Sequence, residues 1–360
     1  MKILVSLSHP AHVHLFKYVI WDLQRKGHCV KIVARDKEIC TNLLDIYNFD
    51  YTVISKVGNG LFGLGIEMFS RIKNLIPIIR SFNPDCIISL LDPSVSISAK
   101  ICGKDLISFS DTEHCKIIIK LSLPFTDLIL TPCCFKKDFG KKQVRYTGYH
   151  ELAYLHPNYF TPNPEVLSEL ELKEGDPFII MRFVSWGASH DVGHHGIQDK
   201  VKFVEELEKY GPVLITSEVQ LESELEDYRI KVSSEKLHDL LYYASLCVGD
   251  GGTTAVESAI LGTPSIYVSS LVGTMGNFSE LEAKYGLLLN YNDSHLALEK
   301  AVKLMQKPNL KDEWTMKKAQ LLNDKIDVTA FIIWFIENYP ESLITMKRHP
   351  DTQYNFRVIE

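Results

Sequence analysis

The sequence predicts an α/β protein made of two doubly wound, Rossmann-like domains that face each other across a ligand-binding cleft. Three observations carry this. Short apolar runs of strand length alternate with amphipathic stretches of helix length along most of the chain, the pattern of parallel sheets covered by helices on both faces. The alternation breaks once, at residues 154–164 (YLHPNYFTPNP), where three prolines suit a linker better than a helix. The 360 residues also exceed what one core usually organises.

Taken in order, Lys2–Leu7 reads as a buried first strand. Val13, Phe16, Ile20 and Leu23 then recur at helical spacing, and Gly27 closes that helix. Strands follow at 30–34, 51–54, Cys86–Leu90, 106–109 and 128–131, with helices between them, including 69–81 ahead of Pro84. After the linker the strands fall at 178–183, 213–216, 229–232, 246–248 and Ser265–Val268, with helices at 200–209, 234–244 and 253–261. The domains are therefore set at 1–155 and 165–327. Residues 328–360 form a helical segment that could return to the first domain. Within it 330–336 (AFIIWFI) is either a buried helix face or a membrane-surface contact.

Composition excludes several classes. With 46% hydrophobic and 23% charged residues the chain is not disordered. A formal net charge of -6 argues against bulk binding to nucleic acid or acidic membrane, although the basic stretch 136–142 is either a docking site or a solvated loop. The eight cysteines are scattered, only Cys133 and Cys134 are close, and no CxxC pair exists. This disfavours zinc and thioredoxin chemistry and fits a reducing, cytoplasmic setting, with peripheral membrane contact left open. No apolar run reaches a membrane span, and Pro10 interrupts the N-terminus too early for a signal peptide.

Residues 248–268 (VGDGGTTAVESAILGTPSIYV) are the most informative. A strand ends at Val248, and Gly249, Gly251 and Gly252 let the backbone turn sharply and approach a ligand. Thr253 or Thr254 can cap the helix that follows. Its free amides and positive end make a cradle for a diphosphate, and Glu257 lies one turn further in. The competing reading is a glycine turn with a cap and an exposed Glu.

This stretch resembles the nucleotide-sugar signature of GT-B glycosyltransferases and of the related UDP-GlcNAc 2-epimerases. The resemblance implies that Gly251, Gly252, Thr253 and Thr254 contact the diphosphate and that Glu257 holds the ribose. Residues 272–287 resemble the next GT-B element, which would place Thr274, Met275, Gly276 and Asn277 near the sugar, although a glutamine common there in transferases is missing. Residues 232–240 would supply backbone contacts to the base, with His238 either close to it or a partly buried helix residue.

In the first half, Ser8–His14 (SHPAHVH) sits where strand becomes helix. A cation is disfavoured at a helix N-terminus, so these imidazoles are expected to be neutral, and a neutral imidazole can act as a general base. The segment resembles the GGTGGH turn of the GlcNAc transferase that makes the peptidoglycan lipid precursor, with His12 on that motif's His. Here Ser8, Pro10 and Ala11 replace the glycines, so close backbone approach to a phosphate is not supported. A zinc site of His9, His12 and His14 lacks a clear fourth ligand. The turn at 110–114 (SDTEH) follows another strand, and Asp111, Glu113 and His114 could serve acid–base work. Asp92 is read as a helix N-cap. In the loop 182–196 Arg182 could offset phosphate charge, and Ser185, Ser189, His190 and Asp191 could bind phosphate or acceptor. His190, Asp191, His194 and His195 suggest a metal only on paper, and none is expected. Ser217 and Glu218 end a strand, and Tyr149, His150 and Glu151 are placed at the hinge.

As a set these motifs resemble a prokaryotic family, frequent in archaea, known as a domain of unknown function and grouped with GT-B proteins; the likeness spans about 1–339. It implies glycosyl transfer from a nucleotide-sugar, taken as UDP-linked, to a surface or glycolipid acceptor. The alternatives are a 2-epimerase-like enzyme acting on the nucleotide-sugar itself and a non-catalytic nucleotide-sugar-binding protein. No separate cofactor is implied.

Overall fold

The computed structural model describes residues 1–56, 58, 60–184, 195–217, 220–230 and 232–357, with only the backbone at 38 and 60–62. The chain divides into two compact units, one of Met1–Tyr159 with Lys325–Glu360, the other of Phe160–Asp324.

The first unit holds a parallel sheet of seven strands: β1 (Lys2–Leu7), β2 (Cys29–Asp36), β3 (Tyr51–Lys56), β4 (Cys86–Leu90), β5 (Asp105–Phe109), β6 (Leu128–Pro132) and β7 (Gln143–Tyr146), in the order β3-β2-β1-β4-β5-β6-β7. The order reverses between β1 and β4, which pair from Ile3–Cys86 to Ser6–Ser89. Connections leave a reversal point in opposite directions, so the carboxyl ends there are open to a ligand. That places whatever follows β1, β4 and β5 at the site.

The helix Pro10–Arg25 starts as its sequence dictates. Pro10 takes the first position, where no amide is needed, and the His9 ring accepts the Ala11 amide at 3.2 Å. Val13, Phe16, Ile20 and Leu23 are fully buried. The helix predicted at 69–81 runs over Gly60–Phe82 and continues through Pro77. Leu75 and Ile79, fully buried on the sheet, hold it against the break that proline would favour.

The last segment folds back onto this unit. Val328–Glu337 packs on Pro10–Arg25, with Phe331, Phe335 and Ile336 at zero exposure and Phe331 stacked on Tyr146 at 5.7 Å. The AFIIWFI stretch is therefore a buried helix face. Beyond it Gln353 accepts the Thr147 amide at 2.6 Å, so this stretch is part of the same unit.

The second unit holds five parallel strands: β8 (Ile179–Phe183), β9 (Val213–Ser217), β10 (Leu246–Gly249), β11 (Ser265–Val268) and β12 (Leu288–Tyr291), ordered β12-β11-β10-β8-β9. Among the described residues of 229–232 no strand is formed; Arg229 makes a bridge to Ile215 at the sheet edge. β7 and β12 were not expected. Each is a four-residue edge strand with half-exposed positions, too short for a continuous apolar run. Among the described residues no helix is long and apolar enough to cross a membrane.

Candidate functional site

In the second unit, β10 runs into the helix Gly252–Leu261 with Asp250 and Gly251 between them. Gly249 and Gly251 also meet a packing need that the sequence did not show. Gly251 has φ -83°, open to any residue, but a Cβ there would lie 2.5 Å from Cγ of Arg182, and one on Gly249 would collide with the Arg182 carbonyl. The close approach is to β8. Nor does a threonine cap the helix. Gly251 occupies the cap position without a side-chain hydrogen bond, and Thr253 and Thr254 lie in the first turn. An uncapped start leaves first-turn amides and the positive dipole end for an anion.

The surroundings are tightly ordered. Asp250, buried, accepts the Val184 amide at 2.9 Å, and a Cβ on Gly196 would collide with its carboxylate, so one buried acid meets both Val184 and Gly196. Sequence reasoning did not single out Asp250; its one signal was an acid set directly before Gly251 and Gly252. Arg182 Nη1 donates to Thr216 Oγ1 at 2.8 Å, which orients its head group across β9. Glu257 is buried, with Oε1 2.9 Å from Nε2 of His238, itself buried on the helix Leu237–Tyr243. Asn277 is buried near the start of the helix Gly276–Glu280, and its neighbour Phe278 lies 3.3 Å from where a Gly252 Cβ would be. Arg182, Gly251, Gly252, Thr253, Thr254 and Glu257 thus lie at or next to one turn, and Asn277 is joined to it through its neighbour Phe278. Ser185, Ser189, His190, Asp191, His194 and Glu218 lie outside the described residues.

The carboxyl ends of β1, β4 and β5 gather a charged cluster in the first unit. Asp92 follows β4, caps the helix Pro93–Cys102 through the Ser94 and Val95 amides, and pairs with Arg71 at 2.7 Å. Asp111 follows β5 and lies 3.1 Å from Nδ1 of His150. His12 follows β1, with Nδ1 3.4 Å from both the amide and the hydroxyl of Ser8. Burial drives the His12 pKa down to about 4, with Asp92 and Asp111 pulling the other way. The ring is neutral as expected, with desolvation leading. For Asp111, burial alone would raise the carboxyl, but His150 and the Thr112 hydroxyl more than offset it and hold it below the usual range. A neutral imidazole and an ionised carboxylate thus share one site.

The other predicted residues divide. Glu113 is buried and accepts the Lys136 amide at 2.9 Å, bracing the loop after β6. The half-buried His114 gives its carbonyl to the Lys116 amide at 2.7 Å. His14 stacks on Tyr154 at 5.3 Å and belongs to the packing. His150 was assigned to a hinge, yet it stands in the cluster. It follows β7, the strand not foreseen, and a strand end was the missing signal. Its Nδ1 faces Asp111, and its buried Nε2 has no hydrogen-bond partner among the described residues. Among the described residues no three His, Cys, Asp or Glu side chains converge as a metal site.

The chain belongs to a family described as a protein of unknown function, DUF354, whose profile matches residues 1–330. It is 29% identical over 290 residues to the uncharacterized protein MJ0665 of Methanocaldococcus jannaschii, covering 76% of this chain and 84% of that protein. Among solved structures it is similar to S. aureus MnaA in a co-structure with UDP (TM-score 0.65, 12% identity, 95% of this chain and 97% of that one). It is also similar to the UDP-GlcNAc 2-epimerase of M. jannaschii in complex with UDP-GlcNAc and UDP (0.61, 14%, 89% and 99%), and to the glycosyltransferase SsfS6 of Streptomyces sp. SF2575 (0.59, 13%, 94% and 100%). The two helix-flanked parallel sheets are thus the Rossmann-like pair of a GT-B-type fold.

Proposed function

We propose that this protein acts on a UDP-sugar in the manner of a 2-epimerase. The observation that carries the proposal is the His12–Asp111–His150 cluster. Inverting C2 takes its proton from one face as the C1–O bond to UDP breaks, the C–H electron pair forming a C1–C2 double bond, and returns a proton to the other face as UDP adds back at C1, which requires a base and an acid and no second substrate. A neutral His12 beside an ionised Asp111, with the His150 ring against that carboxylate, supplies titratable groups of both kinds. The uncapped turn at Gly252–Thr254 holds the diphosphate through its amides, and Glu257, steadied by His238, holds the ribose. Solved proteins of this fold named as 2-epimerases, one with UDP-GlcNAc and UDP, support the choice of substrate.

The test is incubation with UDP-GlcNAc alone in deuterated water, followed by proton NMR. The proposal expects the C2 epimer, with solvent deuterium at C2. Turnover that appears only when a sugar or lipid-linked acceptor is added would replace it with a second reading, glycosyl transfer. The neutral His12 also suits that reading, as the base for an acceptor hydroxyl. Binding of UDP-GlcNAc without turnover under either condition would leave a binding protein.

A further inference from the structure

The first unit carries a surface that folding does not explain. The helix Lys116–Ser122 turns Ile119 and Ser122 inward. It exposes Ile117 (62%), Ile118 and Leu121, and Phe125 follows in the next turn (39%). Four large apolar side chains on one short segment form an unusual concentration in contact with water. Lys116 and Lys120 are exposed among them.

A second segment lies alongside. At one end the Glu113 carboxylate accepts the Lys136 amide at 2.9 Å; at the other, Nζ of Lys142 donates to the Leu123 carbonyl at 2.8 Å. The loop after β6 is therefore pinned beside the apolar helix at both ends. Residues 116–142 contain six lysines and two aspartates. Both aspartates are engaged, Asp127 with Lys100 at 3.3 Å and Asp138 with the Gly140 amide at 2.8 Å. In a chain of formal net charge -6, this is a local basic patch interleaved with aliphatic side chains.

We infer that this surface docks the protein on an anionic lipid bilayer. Ile117, Ile118, Leu121 and Phe125 enter the headgroup boundary while the lysines meet lipid phosphates. Charge complementarity selects this occupant. A second copy of the chain, meeting the same patch across a two-fold axis, would set lysine against lysine. A nucleic-acid backbone would satisfy the lysines and leave the aliphatic side chains in water. The surface directly follows the segment carrying Asp111, so docking brings the acid–base cluster close to the membrane.

Co-sedimentation of the full chain with phospholipid vesicles tests this without any sugar substrate, so its outcome is separate from that of the proposed reaction. Binding is expected to phosphatidylcholine vesicles containing phosphatidylglycerol and not to phosphatidylcholine alone. It should weaken as salt rises from about 0.1 M to about 1 M, where the screening length falls from ~10 to ~3 Å. Lys120→Gln and Lys141→Gln should each weaken it roughly fivefold. Ile117→Glu with Leu121→Glu should abolish it with the circular dichroism spectrum unchanged. The inference is overturned if the wild type ignores the anionic vesicles, or if the paired Glu variant binds as well as the wild type. It is equally overturned if the wild type is a dimer in sedimentation velocity that Ile117→Glu splits and that never binds vesicles.

Discussion

The two units begin a central helix in the same place, after an inner strand of a parallel sheet, and they finish the turn in opposite ways. After β1 the turn is closed. The His9 ring takes the Ala11 amide, Pro10 removes another donor, and no glycine is present. After β10 the turn is open, with a glycine at the cap position and, among the described residues, no side-chain cap hydrogen bond to the helix start. An anion can be received at the second and not at the first. The closed turn instead presents a neutral imidazole beside an ionised carboxylate. On the proposed reading, one architecture yields a phosphate cradle in one unit and proton chemistry in the other, and the difference lies in a few residues after each strand.

The largest expected effect breaks the closed side. His12→Ala or Asp111→Asn should lower turnover by about 10²–10⁴-fold, the usual worth of a positioned acid or base. A variant with near wild-type turnover would move the chemistry elsewhere.

The same side should show in the acid dependence of stability. His12 has a folded pKa of about 4 against an ordinary 6.5, so between those values the unfolded chain binds more protons and stability rises with pH. As pH falls from 6.5 through 4, up to about 3 kcal/mol is lost. Asp111, held low when folded, adds a further loss as pH falls below 3.8. Denaturation midpoints of wild type and His12→Gln across this range should diverge above pH 4; parallel curves would deny that the ring is desolvated.

On the open side, Gly251→Ala drives a Cβ to 2.5 Å from Cγ of Arg182 and should cost about 1–3 kcal/mol of stability. An unchanged urea midpoint would show that the turn has slack where the packing allows none.

Much of this contrast was legible before the fold. The apolar runs of β1, β4 and β10 and the residues that follow them are local features. So are the VGDGGTT turn and the histidines around Pro10. What escaped was tertiary. Gly249 and Gly251 answer to Arg182 on a neighbouring strand, and Asp250 to an amide 66 residues away. His150 reaches Asp111 only because β7, a half-exposed edge strand, delivers it there. Glu113, read with Asp111 and His114 as an acid–base candidate, also accepts the Lys136 amide through one carboxylate oxygen, a contact 23 residues away. Composition and spacing reveal what a segment can do alone, while partners across a sheet come from topology.

The division of labour is tested most directly by calorimetric titration of UDP into three proteins. The account predicts that His12→Ala binds UDP as the wild type does, and that Glu257→Ala, which empties the buried site beside His238, binds about 1–3 kcal/mol more weakly. Affinity lost with His12 and kept without Glu257 would contradict it.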